Sequence, residues 1–295
     1  MLRNNLEPSR PLLALSSRLL WSHPVVKAAE IASDLGFQGL ELWTEHLWRE
    51  GPPSGLEGKL ARLPLRYFLH GPFMDLNPCS RNPRVAKLSL TEQLKALELA
   101  RGLGIDLVVV HPGRCSSSKD PPEEYWPALL ESLGLLARRA RGFGITLAVE
   151  NMEPRPKEIL VRPIDLERLF GEISSLGLCL DLAHAAVGGL GMVEEFLARL
   201  GSRIRHVHIS NVGDGKVHLP LDKGRLPLTP AALDFLREFR GALTLEGAWE
   251  PGEQVARLGL TKLRGLLEGG DSREKLAPSV DNTNKSQGGS NEKAD

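Results

Sequence analysis

The sequence predicts an α/β protein, a single (β/α)8 (TIM) barrel followed by a disordered polar tail. Three observations lead there. Short β-rich runs alternate with amphipathic, helix-like stretches eight times along the chain, the pattern of a closed parallel barrel. Several of the short runs are apolar throughout, as strands covered on both faces should be. The length of 295 residues accommodates the roughly 250 of such a barrel with some to spare.

Taken in order, the strand runs are Leu12–Ser17, Gly39–Trp43, Arg66–His70, Asp106–His111, Thr146–Glu150, Leu178–Asp181, Ile204–Ile209 and Ala242–Glu246. The helical stretches between them are Val25–Leu35, Leu88–Leu103, Glu123–Arg141, Leu166–Ser174, Val193–Leu200, Ala231–Phe239 and Val255–Leu267, with a fainter one near Leu56–Leu63. Asn82-Pro83, Asp120-Pro121 and Thr229-Pro230 each set a capping side chain before a proline at the first helical position. Glycines at 36, 104, 144, 177 and 241 precede the next strand, where a left-handed cap is wanted. An open doubly wound sheet would need a glycine-rich phosphate loop after the first strand, and none is there. The barrel is expected over residues 1–269 as one metal-dependent catalytic domain. Beyond it, 270–295 are polar, with too few apolar side chains to offset the entropy of ordering.

Charge narrows the partners. Thirty-seven Lys and Arg balance 37 Asp and Glu, so no global positive field draws in nucleic acid or an anionic membrane. Cys79, Cys115 and Cys179 are odd in number and far apart, which argues for a reducing compartment. The first residues lack the basic-then-apolar pattern of a secretory leader. No apolar run reaches about 18 residues. A cytoplasmic protein with no membrane partner is expected; the oligomeric state is left open.

Chemistry concentrates at the strand ends, where barrels of this class carry their active sites. His70 closes the third run, His111 the fourth, Glu150 the fifth, Asp181 the sixth, His208 the seventh and Glu246 the eighth. His184 follows Asp181 by three residues, and His218 lies in the loop behind His208. Five of the eight histidines therefore fall at strand ends or just after them. Carboxylates ending apolar strands are costly to leave unpaired, and a shared cation resolves the cost. Mixed imidazole and carboxylate ligands suit Zn, Mn, Fe or Co better than the all-oxygen preference of Mg or Ca.

In these residues the sequence resembles the xylose-isomerase-like barrel superfamily, which also holds endonuclease IV (the type 2 AP endonucleases) and sugar isomerases and epimerases. The resemblance spans about residues 11–268. It rests on His111-Pro112-Gly113, Glu150-Asn151, Asp181 to His184, Val207-His208-Ile209 and His218-Leu219-Pro220. It implies that Glu150, Asp181, His208 and Glu246 form a four-ligand metal site. It implies further that His70 and His111 hold a second ion, with Glu150 bridging. His184 and His218 match two of three ligands for a third ion. The missing ligand should lie two residues before His218, where Lys216 stands, with Asp214 nearby. Two ions are therefore expected, with three only if Asp214 substitutes.

Two activities compete. A sugar isomerase or epimerase needs one metal ion to polarise a carbonyl and hydroxyl pair, and carboxylates, here Glu150 and Glu246 as the catalytic pair, to move a proton through an enediolate. Related epimerases tend to carry an Arg six residues after the seventh-strand His, where this chain has Asp214. A phosphodiester hydrolase needs a pair of ions about 3.5–4 Å apart, and His70 and His111 give it the extra ligands. On that ground a small phosphodiester metabolite, nucleotide-like or corrinoid-type, is favoured as substrate over a sugar, and duplex DNA is disfavoured by the neutral charge. Arg114 and Arg155 are placed to hold a phosphate. Trp43 and Trp249, with Trp21 and Trp48, can wall one side of the mouth against a planar group. Cys115 is read as a loop residue, Cys179 as core, and His206 as support for His208 or core. His23 and His46 are given no role.

Overall fold

A computed structural model describes residues 11–51, 54–189, 191–247 and 251–269. The tail expected over 270–295 and Trp249 lie outside these. The eight barrel strands are β1 (Leu12–Ser16), β2 (Gly39–Trp43), β3 (Arg66–His70), β4 (Leu107–Val110), β5 (Thr146–Glu150), β6 (Gly177–Asp181), β7 (Ile204–Ile209) and β10 (Ala242–Leu245). They close in the order β1-β10-β7-β6-β5-β4-β3-β2, every pair parallel. Between β7 and β10 a short antiparallel hairpin intervenes, β8 (Asn211–Gly213) with β9 (Lys216–Leu219).

The helices pack outside. The long ones are α1 (Val25–Leu35), α4 (Pro83–Gly102), α5 (Trp126–Gly142), α6 (Pro163–Glu172), α8 (Met192–Leu200), α9 (Pro230–Glu238) and α10 (Gly252–Leu267). Of three short ones, α2 (Thr44–Glu50) and α7 (Leu182–Val187) directly follow β2 and β6, and α3 (Leu56–Leu60) lies between α2 and β3. The main core lies between the helices and the outer barrel face, where Leu40, Leu69, Val149, Leu180 and Val207 are all buried. Inside the barrel a second cluster of Ala14, Phe68, Leu107, Val109, Ala148, Cys179 and Ala242 fills the lower half. Small residues predominate there because side chains from eight strands converge on one axis.

Local signals act largely as read. Asn82 Oδ1 accepts the Arg84 N–H at 3.0 Å and Thr229 Oγ1 the Ala232 N–H at 3.3 Å, opening α4 and α9. Asp120 does not cap: a 3₁₀ turn over Pro122–Tyr125 precedes α5, and the Asp120 carboxylate takes the Tyr125 hydroxyl instead. Gly36, Gly104 and Gly144 have the left-handed φ expected of caps. Gly177 and Gly241 do not. They are small because neighbours crowd them: a Cβ would lie 2.6 Å from the Arg205 Cγ at Gly177, and at Gly241 it would lie 2.5 Å from the Phe239 ring and 2.9 Å from the Arg205 carbonyl oxygen.

Gly252 opens α10 against the turn that follows β1. A Cβ there would lie 1.7 Å from the Leu19 carbonyl oxygen, and backbone cannot give way as a side chain can. Gly252→Ala is expected to cost about 2–3 kcal/mol, read as a lowered urea midpoint with an unchanged slope.

Candidate active site

Inward-facing residues alternate along each strand. Two positions beyond Phe68, Ala148 and Cys179, and so on the same face, stand His70, Glu150 and Asp181. Cross-strand register sets His208 level with Asp181 on one side and Thr244 on the other. Glu246 lies two beyond Thr244. The barrel interior therefore changes from apolar to ionisable as the strands approach their C-terminal ends. His70, His208, Glu150 and Asp181 are buried, Glu246 nearly so, and His111 and His218 border the solvent side.

The side chains predicted as ligands come together in three groups, within each of which the ligand atoms lie no more than 4.8 Å apart: His70, His111 and Glu150; Glu150, Asp181, His208 and Glu246; and Asp181, His184 and His218. Glu150 divides its oxygens between neighbours. Its Oε2 lies 3.4 Å from His70 Nε2 and 3.2 Å from His111 Nε2, and its Oε1 lies 3.4 Å from His208 Nδ1. Asp181, from the second group, completes the third. Lys216 and Asp214 are both exposed and belong to none of these groups.

The hydrogen bonds show what the site lacks. A neutral imidazole has one N–H and one bare nitrogen. His70 Nδ1–H donates to the Gly71 carbonyl (2.9 Å) and His184 Nδ1–H to the Asn151 carbonyl (2.9 Å). Their Nε2 lone pairs are thereby aimed at other acceptors: His70 at Glu150 Oε2, and His184 at His218 Nε2, 3.1 Å away. Lone pairs facing each other repel unless a proton or a cation lies between them. His70 Nε2, Glu150 Oε2 and Asp181 Oδ2 are buried without a well-formed hydrogen bond. Ligand atoms on one tetrahedral ion with bonds of 2.0–2.1 Å stand about 3.3 Å apart, close to the separations here. The donor set thus fits divalent cations, with imidazoles already oriented by their other nitrogen.

Asn151 ties the two acid-bearing strand ends together. Its Oδ1 accepts the Asp181 N–H at 2.7 Å and its Nδ2 donates to the Asp181 carbonyl at 3.0 Å. Asp181 in turn caps α7, accepting the His184 N–H at 2.7 Å. That cap is why His184 sits one helical turn from Asp181 and points the same way. Phe73 stacks on His111 with ring centroids 4.1 Å apart.

Above the acids opens a cavity of about 250 Å³, lined by Arg18, Trp43, Phe73, His111, Arg114, Glu150, Met152, Glu153, Glu158, His184, His218 and Glu246. Trp43 and Arg114 are where a substrate would meet them. Arg155 is not: it turns outward and pairs with Glu153 at 2.6 Å. Arg18 and Glu158 are additions, since arginine and glutamate in loops look alike whether or not they face a cavity. Glu41 is another. It is buried, its Oε2 3.0 Å from His208 Nε2 and 2.9 Å from His206 Nε2. The signal available was one acid inside the otherwise apolar run of β2. Cys179 is core and His206 supports the site from beneath; Cys115 is buried in its loop.

Burial and mutual charge set the ionisation. Burial raises the Glu246 carboxyl, but the His208 charge and hydrogen bond outweigh it and pull it to about 2. Burial likewise opposes ionisation of Glu150, yet His208 and His111 hold it well below the ordinary range. Burial pushes Asp181 up despite His184 and His218. Burial would lower His70, but the adjoining Glu150 and Glu41 carboxylates raise it to about 9.

Residues 29–266 match the xylose isomerase-like TIM barrel family, and the chain belongs to it. Across 242 residues it is 31% identical to an uncharacterized protein of Methanocaldococcus jannaschii, MJ1188, covering 79% of this chain and 87% of that one. It is 24% identical over 273 residues to the fructoselysine 3-epimerase of Escherichia coli O157:H7, covering 83% and 94%. The crystal structure of a D-tagatose 3-epimerase-like protein superposes with a TM-score of 0.74 at 24% identity, over 87% of this chain and 98% of that one, and shares the fold. Among the described residues no helix is long and apolar enough to cross a membrane.

The histidine and acid shifts have opposite consequences for the metal-free and metal-loaded protein. The stability that protonated His70 gives the metal-free fold is complete below its ordinary value of 6.5 and is lost as pH rises through about 9. Thermal unfolding of chelator-treated protein is expected to show that loss, of order 3 kcal/mol. Over the same interval the affinity for any ion that His70 would hold should rise about tenfold per pH unit, because His70 would have to release its proton to become a ligand. Titration calorimetry with Mn²⁺ at pH 6.5, 7.5 and 8.5 checks the second trend; a flat profile contradicts it.

Proposed function

We propose that this chain is a divalent-metal-dependent sugar isomerase or epimerase acting on a small ketose or ketose derivative. The observation that carries the reading is the pairing of Glu150 and Glu246, which come from separate strands into one group of ligand atoms and both line the cavity. The cavity is of monosaccharide scale. Its charged walls mix Arg18 and Arg114 with Glu153 and Glu158, a balance suited to hydroxyl groups and not to a phosphate chain. The similarity to a protein named fructoselysine 3-epimerase supports the same class.

A divalent cation bound by Glu150, Asp181, His208 and Glu246 would polarise a carbonyl and an adjacent hydroxyl oxygen. The rest is the work of this chain. One carboxylate of the Glu150 and Glu246 pair accepts the proton from the carbon beside the carbonyl, and the C–H electrons pass into the enediolate. For the epimer, the other group enters the step as the neutral carboxylic acid and gives its proton to that carbon from the opposite face; for the isomer, the first group hands its proton to the neighbouring carbon while the hydroxyl proton moves to the former carbonyl oxygen. Trp43, Phe73 and Met152 provide apolar wall on one side, limiting water around the carbanion-like intermediate. His184 and His218, at the cavity edge, are placed to hydrogen-bond substrate hydroxyls.

One observation favours a second reading. His70, His111 and Glu150 form a complete three-residue group beside the first, which a one-ion isomerase has no evident use for. Two ions sharing Glu150 would suit hydrolysis of a small phosphodiester. Metal analysis of protein purified without chelator separates the two, one ion per chain for isomerisation and two for hydrolysis.

The direct test is incubation with a panel of ketoses in D2O, followed by proton NMR. Wild-type protein should exchange one carbon-bound proton as the epimer or isomer forms. Glu246→Gln should slow that exchange by about 100- to 10,000-fold, and Glu150→Gln should abolish it with the fold intact. Absence of exchange, together with turnover of a phosphodiester, would move the assignment to the second reading.

A further inference from the structure

We infer that Glu41 is a positioning residue that fixes the orientation and ring tautomer of His208 and thereby strengthens it as a metal ligand. The inference rests on the reading of Glu150, Asp181, His208 and Glu246 as a metal site, and not on which reaction follows. Glu41 is fully buried, on β2, across the barrel from His208 on β7. His208 Nε2–H donates to Glu41 Oε2 at 3.0 Å. His208 Nδ1 lies 3.0 Å from Glu246 Oε2 and 3.4 Å from Glu150 Oε1, so when a cation replaces its proton Nδ1 is the nitrogen that faces the other ligands.

The contrast with the other imidazoles gives the argument its force. His70 and His184 use their N–H on backbone carbonyls. Among these three only His208 gives its N–H to a carboxylate, and a full negative charge there makes the opposite nitrogen a stronger donor to a cation. The arrangement beneath is built to hold Glu41 in place. His206 Nε2 lies 2.9 Å from the same Oε2 and 2.7 Å from Thr244 Oγ1, and Phe68 packs edge-on against the His206 ring at 4.9 Å. A buried ion pair serving the core alone would be matched or bettered by apolar packing of the same volume. Here the acid lies on the inner face, two residues below the rim, where its reach to His208 is what it provides.

Two measurements test this. The first uses wild-type protein labelled with ¹⁵N-histidine and loaded with Zn²⁺. Long-range ¹H–¹⁵N correlation should show His208 protonated at Nε2 and metallated at Nδ1; the opposite assignment overturns the inference. The second is calorimetric titration of metal-free protein with Mn²⁺. Glu41→Gln keeps an acceptor without the charge and should bind about 10- to 100-fold more weakly. Glu41→Leu removes both and should bind more weakly still. Should the leucine variant fail to fold, the glutamine variant decides alone. A folded Glu41→Gln that binds within twofold of wild type overturns the inference while leaving the metal site standing. Wild-type protein that binds no divalent ion removes both.

Discussion

The acids at the rim of this barrel cannot stand in the structure by themselves. Glu150 is buried, with an oxygen turned toward each of two neighbouring groups of imidazoles. His70 and His184 commit their Nδ1–H groups to backbone carbonyls, so each Nε2 faces oxygen or nitrogen and needs a proton or a cation between them. Desolvated charge of this kind is tolerated only with compensation. Protons supply it when the site is empty, and cations when it is filled. The competition between the two would tie stability, metal affinity and pH together.

Around that centre the scaffold acts through direction more than through contact. Strand alternation puts His70, Glu150 and Asp181 on one face because each lies two residues beyond an apolar barrel-filling side chain. Asn151 locks the ends of β5 and β6 in register, and the capping role of Asp181 sets the position of His184. Glu41 does for His208 what backbone carbonyls do for His70 and His184. The result is a site whose ligands are oriented before anything binds, so little ordering entropy remains to be lost at that step.

The proposed reaction class rests on what surrounds the candidate ligands. The His70 and His111 pair, read along the chain, points toward phosphodiester chemistry. The cavity above is small and its charges are mixed, and the chain is similar both to a fructoselysine 3-epimerase and, over half its length, to a probable endonuclease 4. Arg155, which local sequence would place on a phosphate, is turned out onto Glu153. Sequence position marks a residue as belonging to a loop after a strand; it does not say which way the loop's side chains face.

What the sequence determined by itself is the barrel and its rim. Period-two apolar runs, capped helices and ligand-type residues at successive strand ends are local features, and each is set by a few neighbouring residues. Hence every barrel strand lies within a residue or two of its predicted bounds, and the eight predicted ligands converge, while the β8–β9 hairpin was not predicted. What only the tertiary structure decided are the pairings across the barrel. Glu41 and His208 are 167 residues apart. Arg205 crowds Gly177 and Gly241 through neighbouring strands. Asp181, not Asp214, joins His184 and His218. Each of these depends on a contact between segments far apart in the chain, and no local pattern encodes which distant partner the closing of the ring will bring.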